Sequence, residues 1–504
     1  MNRSRNAHSA DFASGNRRAI IDIGSNTVRL VIYGGSGRAP VVLHNEKVAA
    51  GLGRDLSSSG AMTSKAMDVA LGGLARYVLL LGDLGIEDIE TVATAAVREA
   101  SNGPDFLAQV SALGLAPRLL SGEEEALAGA MGVRGAFPKA AGVVADLGGG
   151  SLELTRFDTE SCASGKSLPL GTLRLPDLRA KGGSAFRSGV IKLLSQAGWD
   201  GAIDQPLFLV GGTWRALATY ALQQRKSPLD DPHALELERD EALNLAKALR
   251  NADPADLAQV QGISGFRASA LPDAAALLKV LIDTLKPTGL VFSSWGLREG
   301  LLYSRLDPSA QRQDPLLAGV GAFASPRGGT PSAATRVAAW TVEALPKADR
   351  SPERLRLAAT MLALASHQIE PNFRVRQGID WALHKRWIDL DSQGRVSLAM
   401  AIAASCGLTS PPEELQALAD RRTLDEATAW GLAIRLCRRL GAVSRASLEA
   451  SALRSSGGGL TLYLEKSRAA LRNRGVEKDF DKLAGCLGTQ GRIEVVADGA
   501  LPAR

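Results

Sequence analysis

The feature that most constrains the fold is a pattern of apolar strand, aspartate, glycine-containing turn and apolar strand that occurs twice. The first copy surrounds Asp22 and runs from Ala19 to Tyr33, and the second surrounds Asp146 and runs from Gly142 to Leu154. Two β-rich runs on either side of a polar turn predict a β-hairpin. Because the two aspartates are 124 residues apart, we predict two related α/β subdomains that arose by internal duplication.

A third glycine turn follows the apolar run Leu207–Val210, and its sequence predicts a strand that leads directly into a helix. Glycine lets the backbone come close to an anion, and successive backbone N–H groups can bind a phosphate. Three such turns therefore favour a phosphate-binding site. An aspartate beside a phosphate repels it unless a cation lies between them, so Asp22 and Asp146 indicate a divalent metal. The alternative is that each aspartate only caps its own turn.

Three glutamates, Glu123 to Glu125, follow Ser121 at the predicted start of a helix, where Ser121 and Glu124 have the spacing of a capping box. Negative charge at a helix start complements the helix dipole, and this interaction alone can explain why a glutamate occurs at any one of these positions. A carboxylate that faced the phosphate turns could instead activate a water molecule for attack on phosphorus. Arg98, after a short predicted strand, suits bidentate contact with phosphate.

Composition excludes several classes of protein. Of the 504 residues, 45% are hydrophobic and 22% are charged, which is typical of a globular chain and not of a disordered one. The four cysteines form no Cys-x-x-Cys pair, and no apolar run reaches eighteen residues. We therefore predict no disulfide framework, zinc site or membrane span. No apolar signal segment precedes Arg18, so the expected location is cytoplasmic.

The net charge of +6 is concentrated in the C-terminal third. Residues 326–504 contain 26 Lys and Arg against 19 Asp and Glu, whereas residues 1–325 contain 33 against 34. This excess indicates either a solvated helical surface or a face that binds polyanions. The candidate contacts for a polyanion are Arg435, Arg438, Arg439, Lys466, Arg468, Arg472 and Arg474.

The predicted domain organisation has five parts. They are a flexible basic tail at 1–17, α/β subdomains at 18–130 and 131–312, a linker at 313–332 and an all-α C-terminal domain at 333–504. The linker is predicted from a local excess of Gly, Pro, Ser and Ala. The C-terminal domain is predicted from successive amphipathic patterns rich in Ala, Leu and Arg.

Seven motifs, taken in order, resemble those of the exopolyphosphatase and guanosine pentaphosphate phosphatase (Ppx/GppA) family. They are DIGSNT (Asp22–Thr27), ATAAVR (Ala93–Arg98), SGEEEA (Ser121–Ala126), DLGGGSLE (Asp146–Glu153), LGTLR (Leu170–Arg174), VGGT (Val210–Thr213) and SWGLREGLL (Ser294–Leu302). The resemblance covers residues 18–305. It implies the actin, Hsp70 and sugar-kinase superfold, in which two related α/β halves close around a phosphate cleft.

The resemblance also implies roles for individual residues. Glu125 aligns with the glutamate that activates the attacking water, and Asp146 and Glu153 align with acidic residues linked to magnesium and catalysis. The positions that contact phosphate in the family are occupied by Asn26, Arg98, Gly149, Ser151, Gly211 and Gly212. The C-terminal domain resembles a degenerate His-Asp domain, because His367 lacks the adjacent aspartate, and no second hydrolase site is expected there.

The activity implied by the resemblance is Mg²⁺-dependent release of terminal orthophosphate from inorganic polyphosphate, by a homodimer that binds neither DNA nor a membrane. The alternative for the same site is hydrolysis of guanosine pentaphosphate (pppGpp) to the tetraphosphate. Two other classes stay open. An ATP-dependent kinase of the superfold would need an acceptor-substrate aspartate and an adenosine site. A non-catalytic sensor of polyphosphate or alarmones would bind ligand without releasing phosphate, and the intact motifs around Glu125 and Asp146 argue against it.

Overall fold

The computed structural model describes residues 17–345, 352–456 and 458–502. The predicted basic tail, residues 1–17, lies outside this range except for Arg17. The chain divides into two compact units. The first unit contains the described residues up to Arg225 together with Pro232–Pro315, and the second contains Lys226–Asp231 and the described residues from Leu316 onward. Among the described residues, no helix combines the length and the apolar character needed to cross a membrane.

The first sheet of the first unit is built on the hairpin around Asp22. Its strands are β1 (Arg18–Ile23), β2 (Val28–Ser36), β3 (Ala39–Val48), β4 (Asp88–Ala93) and β5 (Pro117–Leu119). They lie in the order β3-β2-β1-β4-β5. The pairs β1–β2 and β2–β3 are antiparallel, whereas β1–β4 and β4–β5 are parallel.

The second sheet repeats this arrangement around Asp146. Its strands are β6 (Gly142–Leu147), β7 (Leu152–Phe157), β8 (Lys166–Leu168), β9 (Leu207–Val210), β10 (Glu236–Glu238) and β11 (Gly289–Ser293). The pairs β6–β7 and β7–β8 are antiparallel, β6–β9 and β9–β11 are parallel, and β10 is added antiparallel at the edge. The same succession of antiparallel and parallel neighbours in both sheets confirms the predicted duplication.

Thirteen described helices accompany the two sheets. They are α1 (Leu56–Ser59), α2 (Ser64–Asp83), α3 (Ala95–Glu99), α4 (Gly103–Ala112), α5 (Gly122–Ala136), α6 (Leu175–Ala180), α7 (Gly183–Gln196), α8 (Gly212–Gln224), α9 (Arg239–Leu249), α10 (Pro254–Leu257), α11 (Gly265–Leu285), α12 (Leu297–Ser304) and α13 (Pro308–Gln311). The capping box predicted at Ser121 is present at the start of α5.

The boundary predicted between residues 130 and 131 falls inside α5 and is therefore corrected. This helix begins directly after the first sheet but packs against β6, β7 and β8 of the second. The reason is its apolar face, since Ala130 and Val133 are buried with Val144 and Phe157 of the second sheet. The helix thus connects the two halves of the duplication and does not end the first.

The second unit is mainly helical, as predicted. Its helices are α14 (Pro315–Ala324), α15 (Pro331–Thr341), α16 (Pro352–Ser366), α17 (Arg374–Leu383), α18 (Ser392–Ser405), α19 (Glu413–Gln416), α20 (Arg421–Gly441), α21 (Arg445–Glu449) and α22 (Arg474–Cys486). Helix α18 is buried from Gly394 to Ser405, which places it at the centre of this unit.

Two predictions for this part of the chain need correction. The unit also contains a three-stranded sheet of β12 (Ser451–Ser456), β13 (Gly459–Glu465) and β14 (Gln490–Val496), so it is not all-α. The signal that was missed is the period-two alternation in β13, where Leu460, Leu462 and Leu464 are fully buried.

The linker predicted at residues 313–332 is occupied instead by α14, a 3₁₀ turn at Ser325–Arg327 and the start of α15. The division between the units falls within the predicted range, at Pro315. Beyond it, Leu316, Val320 and Ala324 recur every four residues, and all three are fully buried in the core of the second unit. This helical spacing outweighs the Gly and Pro content that predicted a linker.

Candidate active site

A cavity of about 360 Å³ in the first unit is lined by residues of both sheets and by all three glycine turns. Eight of the nine site residues predicted from the sequence line it: Asn26, Glu125, Asp146, Gly149, Ser151, Glu153, Gly211 and Gly212. The ninth, Arg98, contacts the side chain of Glu125. The fold therefore gathers residues that lie almost 190 positions apart in the chain.

The register of the two hairpins decides which side chain faces each aspartate. In the first hairpin Asp22 on β1 is paired with Arg29 on β2, and in the second Asp146 on β6 is paired with Glu153 on β7. Directly opposite residues of an antiparallel pair carry their side chains on the same face of the sheet. The first hairpin thus presents an acid and a base to the cavity, and the second presents two acids.

Three carboxylates from the second hairpin and from α5 form what we call the acidic cluster: Glu125, Asp146 and Glu153. Burial raises the pKa of Asp146 to about 6, although the charge of Arg215 acts against the rise. Burial also raises the pKa of Glu153 well above its ordinary value, and the charges of Glu125 and Asp146 add to this effect. The hydroxyl of Ser167 donates a 2.8 Å hydrogen bond to Glu153 Oε1. Crowded, buried carboxylates of this kind are typical of catalytic sites.

The position of Glu125 follows from the helix that carries it. Glu123 and Glu124 point outward, to Lys166 and to the capping box, whereas the side chain of Glu125 is 15% exposed. Burial raises the pKa of Glu125 to about 7 despite the hydrogen bond from Arg98, and the charges of Asp146 and Asp22 contribute to the rise. Of the three glutamates at this helix start, Glu125 is the one that lines the cavity.

Arg98 is held between the backbone and this glutamate. Its Nη1 donates to the carbonyl oxygen of Leu120 at 2.8 Å and to Glu125 Oε2 at 2.9 Å. Its predicted role as a phosphate ligand stays a prediction, because it is not among the residues that line the cavity. Arg98 instead fixes the orientation of the Glu125 side chain, and its positive charge favours the ionised form of that carboxylate.

The third glycine turn leaves β9 and enters α8 beside Asp146. Gly211 has a φ of +117°, a conformation that favours glycine, and an added Cβ would lie 2.4 Å from the carbonyl oxygen of Leu147. At the next position, an added Cβ on Gly212 would lie 3.2 Å from Nη2 of Arg267. A guanidinium group therefore lies against the turn that was predicted to bind phosphate.

Sequence analysis did not single out the basic residues that line the same cavity. Three of them form a group because their charges act on one another: Arg29 on β2, Lys47 on β3 and Arg267 on α11. We call them the cationic wall. Burial lowers the pKa of Lys47, and the charges of Arg267 and Arg29 lower it further. Burial likewise lowers the pKa of Arg29, with a contribution from Arg298. These groups repel one another, so an anion that entered the cavity would relieve that repulsion.

Two carboxylates of the acidic cluster, those of Asp146 and Glu153, are the groups at this cavity that could hold a metal ion. No group of three or more His, Cys, Asp or Glu among the described residues is arranged as a complete set of metal ligands. Magnesium is usually bound by one or two carboxylates together with substrate phosphates and water. The paired carboxylates of Asp146 and Glu153, which are buried beside a cavity lined by glycine turns, fit that mode of binding.

In the second unit, three candidate contacts for a polyanion, Arg435, Arg439 and Arg472, pair with carboxylates of the same unit. Arg435 Nε donates to Asp479 Oδ1 at 2.9 Å, and Arg439 is also bound to this buried carboxylate. Arg472 pairs with Glu477. Lys466 and Arg474 are exposed, and neither forms an ion pair with another described residue. The second unit therefore has fewer unpaired basic side chains than its net positive charge suggests.

The chain matches the model of the Ppx/GppA phosphatase family over residues 31–309. It is 28% identical over 314 residues to "Exopolyphosphatase 1" of Mycobacterium leprae, an alignment that covers 58% of this chain and 91% of that protein. It is 26% identical over 308 residues to "Guanosine-5'-triphosphate,3'-diphosphate pyrophosphatase" of Aeromonas hydrophila, covering 57% of this chain and 59% of that protein.

Solved structures give the same result for the fold. An exopolyphosphatase from Cytophaga hutchinsonii superimposes with a TM-score of 0.52 at 24% identity, covering 57% of this chain and 97% of that one. A Ppx/GppA family member from Aquifex aeolicus gives 0.51 at 23% identity, covering 57% and 96%. The family match covers residues 31–309, most of which belong to the first unit, where the cavity lies. The chain therefore belongs to the Ppx/GppA phosphatase family.

Proposed function

We propose that the cavity hydrolyses phosphoanhydride bonds and that its preferred substrate is inorganic polyphosphate, from which it removes the terminal orthophosphate. One observation carries this proposal: the acidic cluster and the cationic wall face the same cavity, beside three glycine turns. A cationic wall attracts a polyanion, and the glycine turns offer backbone N–H groups to its terminal phosphate. The names of the relatives, exopolyphosphatase and a guanosine phosphate pyrophosphatase, denote hydrolases of this bond type.

In this proposal Glu125 is the general base. A carboxylate must be ionised to accept a proton from water, and a pKa of about 7 gives Glu125 a high proton affinity while a large part of the population is still ionised at neutral pH. Arg98 fixes the carboxylate through the 2.9 Å bond to Oε2 and favours its ionised state. The water would attack the terminal phosphorus, its proton would pass to Glu125, and the shortened chain would leave as the anion.

The remaining residues position the substrate. Gly149, Ser151, Gly211 and Gly212 would contact the terminal phosphate, and Asn26 would contact it from the opposite hairpin. The cationic wall would neutralise the phosphates that follow it in the polymer. Mg²⁺, held by Asp146 and Glu153, would supply positive charge at the oxygens of the transferred group.

The same site could act on the 5′ end of pppGpp, so the substrate is decided by a direct comparison. Purified protein is given magnesium and either tripolyphosphate, long-chain polyphosphate or pppGpp, and orthophosphate release is measured. We expect the highest kcat/KM with polyphosphate. A higher value with pppGpp would make the nucleotide the substrate and leave the site assignment intact. Tight binding without phosphate release would indicate a sensor, and transfer of label from ATP to a small acceptor would indicate a kinase.

A further inference from the structure

A histidine in the second unit lies where α16 ends, close enough to Arg374, Arg435 and Arg438 for their charges to act on its ring. His367 follows directly after Ser366, the last residue of α16. Both of its ring nitrogens are buried, and neither has a hydrogen-bond partner among the described residues. A neutral imidazole has one donor and one acceptor nitrogen, and burial of both without partners is unfavourable. The two ring nitrogens are therefore available to a polar group from outside the described residues.

The arginines come from α17 and α20. Arg374 Nη2 donates to the carbonyl oxygen of His367 at 3.0 Å, and its Nε donates to that of Ile369 at 2.7 Å. Arg435 and Arg439 share the carboxylate of Asp479. Arg438, between them on α20, is half-buried, and its side chain forms no hydrogen bond or ion pair with another residue in the part of the chain that the structure describes.

The positive charge of this arginine cluster is not balanced. The cluster has four guanidinium groups, those of Arg374, Arg435, Arg438 and Arg439. Among the described residues, the one carboxylate that forms an ion pair with any of them is that of Asp479. Burial lowers the pKa of His367 to about 3, and the charges of Arg438, Arg374 and Arg435 lower it further. Burial also lowers the pKa of Arg438 to about 10, with contributions from Arg374, Arg435 and Arg439. The histidine is thus neutral, and the arginines repel one another in a partly buried place.

We propose that Arg374, Arg435 and Arg438, together with His367, form a binding site for a phosphate-bearing anion in the second unit. A guanidinium group binds phosphate through two parallel N–H···O bonds, and a multiply charged ligand balances several arginines better than the single carboxylate of Asp479 does. The neutral imidazole can donate its N–H to the same ligand. Free phosphate, the end of a polyphosphate chain and the phosphates of a nucleotide share this chemistry.

This site is separate from the cavity of the first unit, and its existence does not depend on the proposed hydrolytic function. The test uses the full chain without divalent metal, so that bound phosphates are not hydrolysed. Calorimetric titrations with orthophosphate, tripolyphosphate and ATP compare the natural chain with Arg438→Gln. The matched control is Arg421→Gln on the same helix, which removes an exposed arginine paired with Asp425.

We expect tripolyphosphate to bind at a site that Arg438→Gln weakens at least about tenfold, the scale of a lost charge-assisted hydrogen bond. Arg421→Gln should leave this site unchanged, and so should Arg29→Gln, which alters the cavity of the first unit. Equal affinity for ATP and tripolyphosphate would mean that the phosphate chain alone is recognised. Tighter binding of ATP would mean that a nucleotide is the ligand. Both results support the site.

Thermal unfolding separates a binding role from a structural one. Without ligand, Arg438→Gln should unfold at the same temperature as the natural chain or higher, because it removes like-charge repulsion. With tripolyphosphate, the natural chain should gain stability and the variant should gain less, since ligand that binds only the folded state stabilises it. A variant that is destabilised equally with and without ligand, or that keeps full affinity, would overturn the proposal.

Discussion

The two hairpins of the first unit share a fold but differ in charge at one equivalent position. Seven residues after the hairpin aspartate, the first copy has Arg29 and the second has Glu153, and each faces its aspartate across the strand pair. Around Asp22, burial raises the pKa of the carboxyl, but Arg298 and Arg29 act against it. Around Glu153, the neighbouring charges of Glu125 and Asp146 add to the effect of burial. At this hairpin position the duplicated scaffold is thus basic in the first copy and acidic in the second.

This difference indicates a division of roles within the proposed function. The half that carries Arg29 and Lys47 is suited to hold phosphates, and the half that carries Asp146 and Glu153 is suited to the chemical step. Variants of the acidic half should therefore lower kcat, and variants of the basic half should mainly raise KM.

The largest effect is expected at Glu125. Replacing it by glutamine keeps the size of the side chain and a hydrogen-bond acceptor for Arg98 but removes the base, so kcat should fall at least ~100-fold. The matched control is Glu123→Gln on the same helix, whose side chain is 61% exposed and pairs with Lys166. The assignment fails if Glu125→Gln turns over within a few-fold of Glu123→Gln while it binds substrate normally.

The next largest effect is expected at the hairpin aspartates, where replacement of Asp146 and of Asp22 should have different consequences. Asp146→Asn should lower kcat roughly 10- to 100-fold and shift magnesium activation to higher concentration, because it removes a proposed metal ligand. Asp22→Asn should lower kcat less and leave the magnesium midpoint unchanged, since Arg29 and Arg298 already accompany that carboxylate. Magnesium titrations of both variants, with circular dichroism to verify folding, provide the measurement. Identical magnesium curves for the natural chain and Asp146→Asn would remove Asp146 from the metal site.

Arg29→Gln tests the basic half. Loss of one charge-assisted contact should raise KM for polyphosphate about tenfold and change kcat only a few-fold. The exposed Arg76, which pairs with Glu46 at the same sheet, provides the control variant Arg76→Gln. A fall in kcat with an unchanged KM would show that the two halves do not divide the roles in this way.

The smallest effect is expected from the second unit. Combined replacement of Lys466, Arg468 and Arg474 by glutamine should raise KM about two- to threefold for long chains and leave tripolyphosphate unaffected, if this surface guides the polymer. A triple variant of Arg421, Arg422 and Arg445 removes the same charge from residues that pair within their own helices. If the two triple variants had equal effects, the positive charge of this unit would serve only to keep the protein soluble.

Sequence alone was sufficient for the parts of the fold and site that depend on local patterns. The hairpins, the capping box at Ser121 and the strand-to-helix turn at Gly211 each follow from a few consecutive residues. The cationic wall does not, because Arg29 and Arg267 are 238 positions apart and meet only through the fold. An alignment of the two hairpins against each other would still have marked Arg29, since it occupies the position of Glu153.

The second unit shows the same limit. Arg435 and Arg439 share a helix face, as their spacing predicts, but the carboxylate that binds them lies 40 residues or more further along the chain at Asp479. Local charge could not reveal that partner. In the predicted linker, the glycine and proline content indicates a loop, but the four-residue recurrence of Leu316, Val320 and Ala324 forms a buried helix.

The most direct test of the central claim is the pH dependence of kcat/KM for polyphosphate, measured for the natural chain and for Glu125→Gln. The pKa of Glu125 is raised from its ordinary value of 4.5 to about 7, and the ionised carboxylate is the base. Activity should therefore be full above this value and fall as the pH drops through about 7. Ionisations of the substrate appear in both profiles, so the fall near pH 7 should be missing from the residual activity of Glu125→Gln. A natural profile that is flat through pH 7, or an identical profile in the variant, would contradict the assignment of Glu125 as the base.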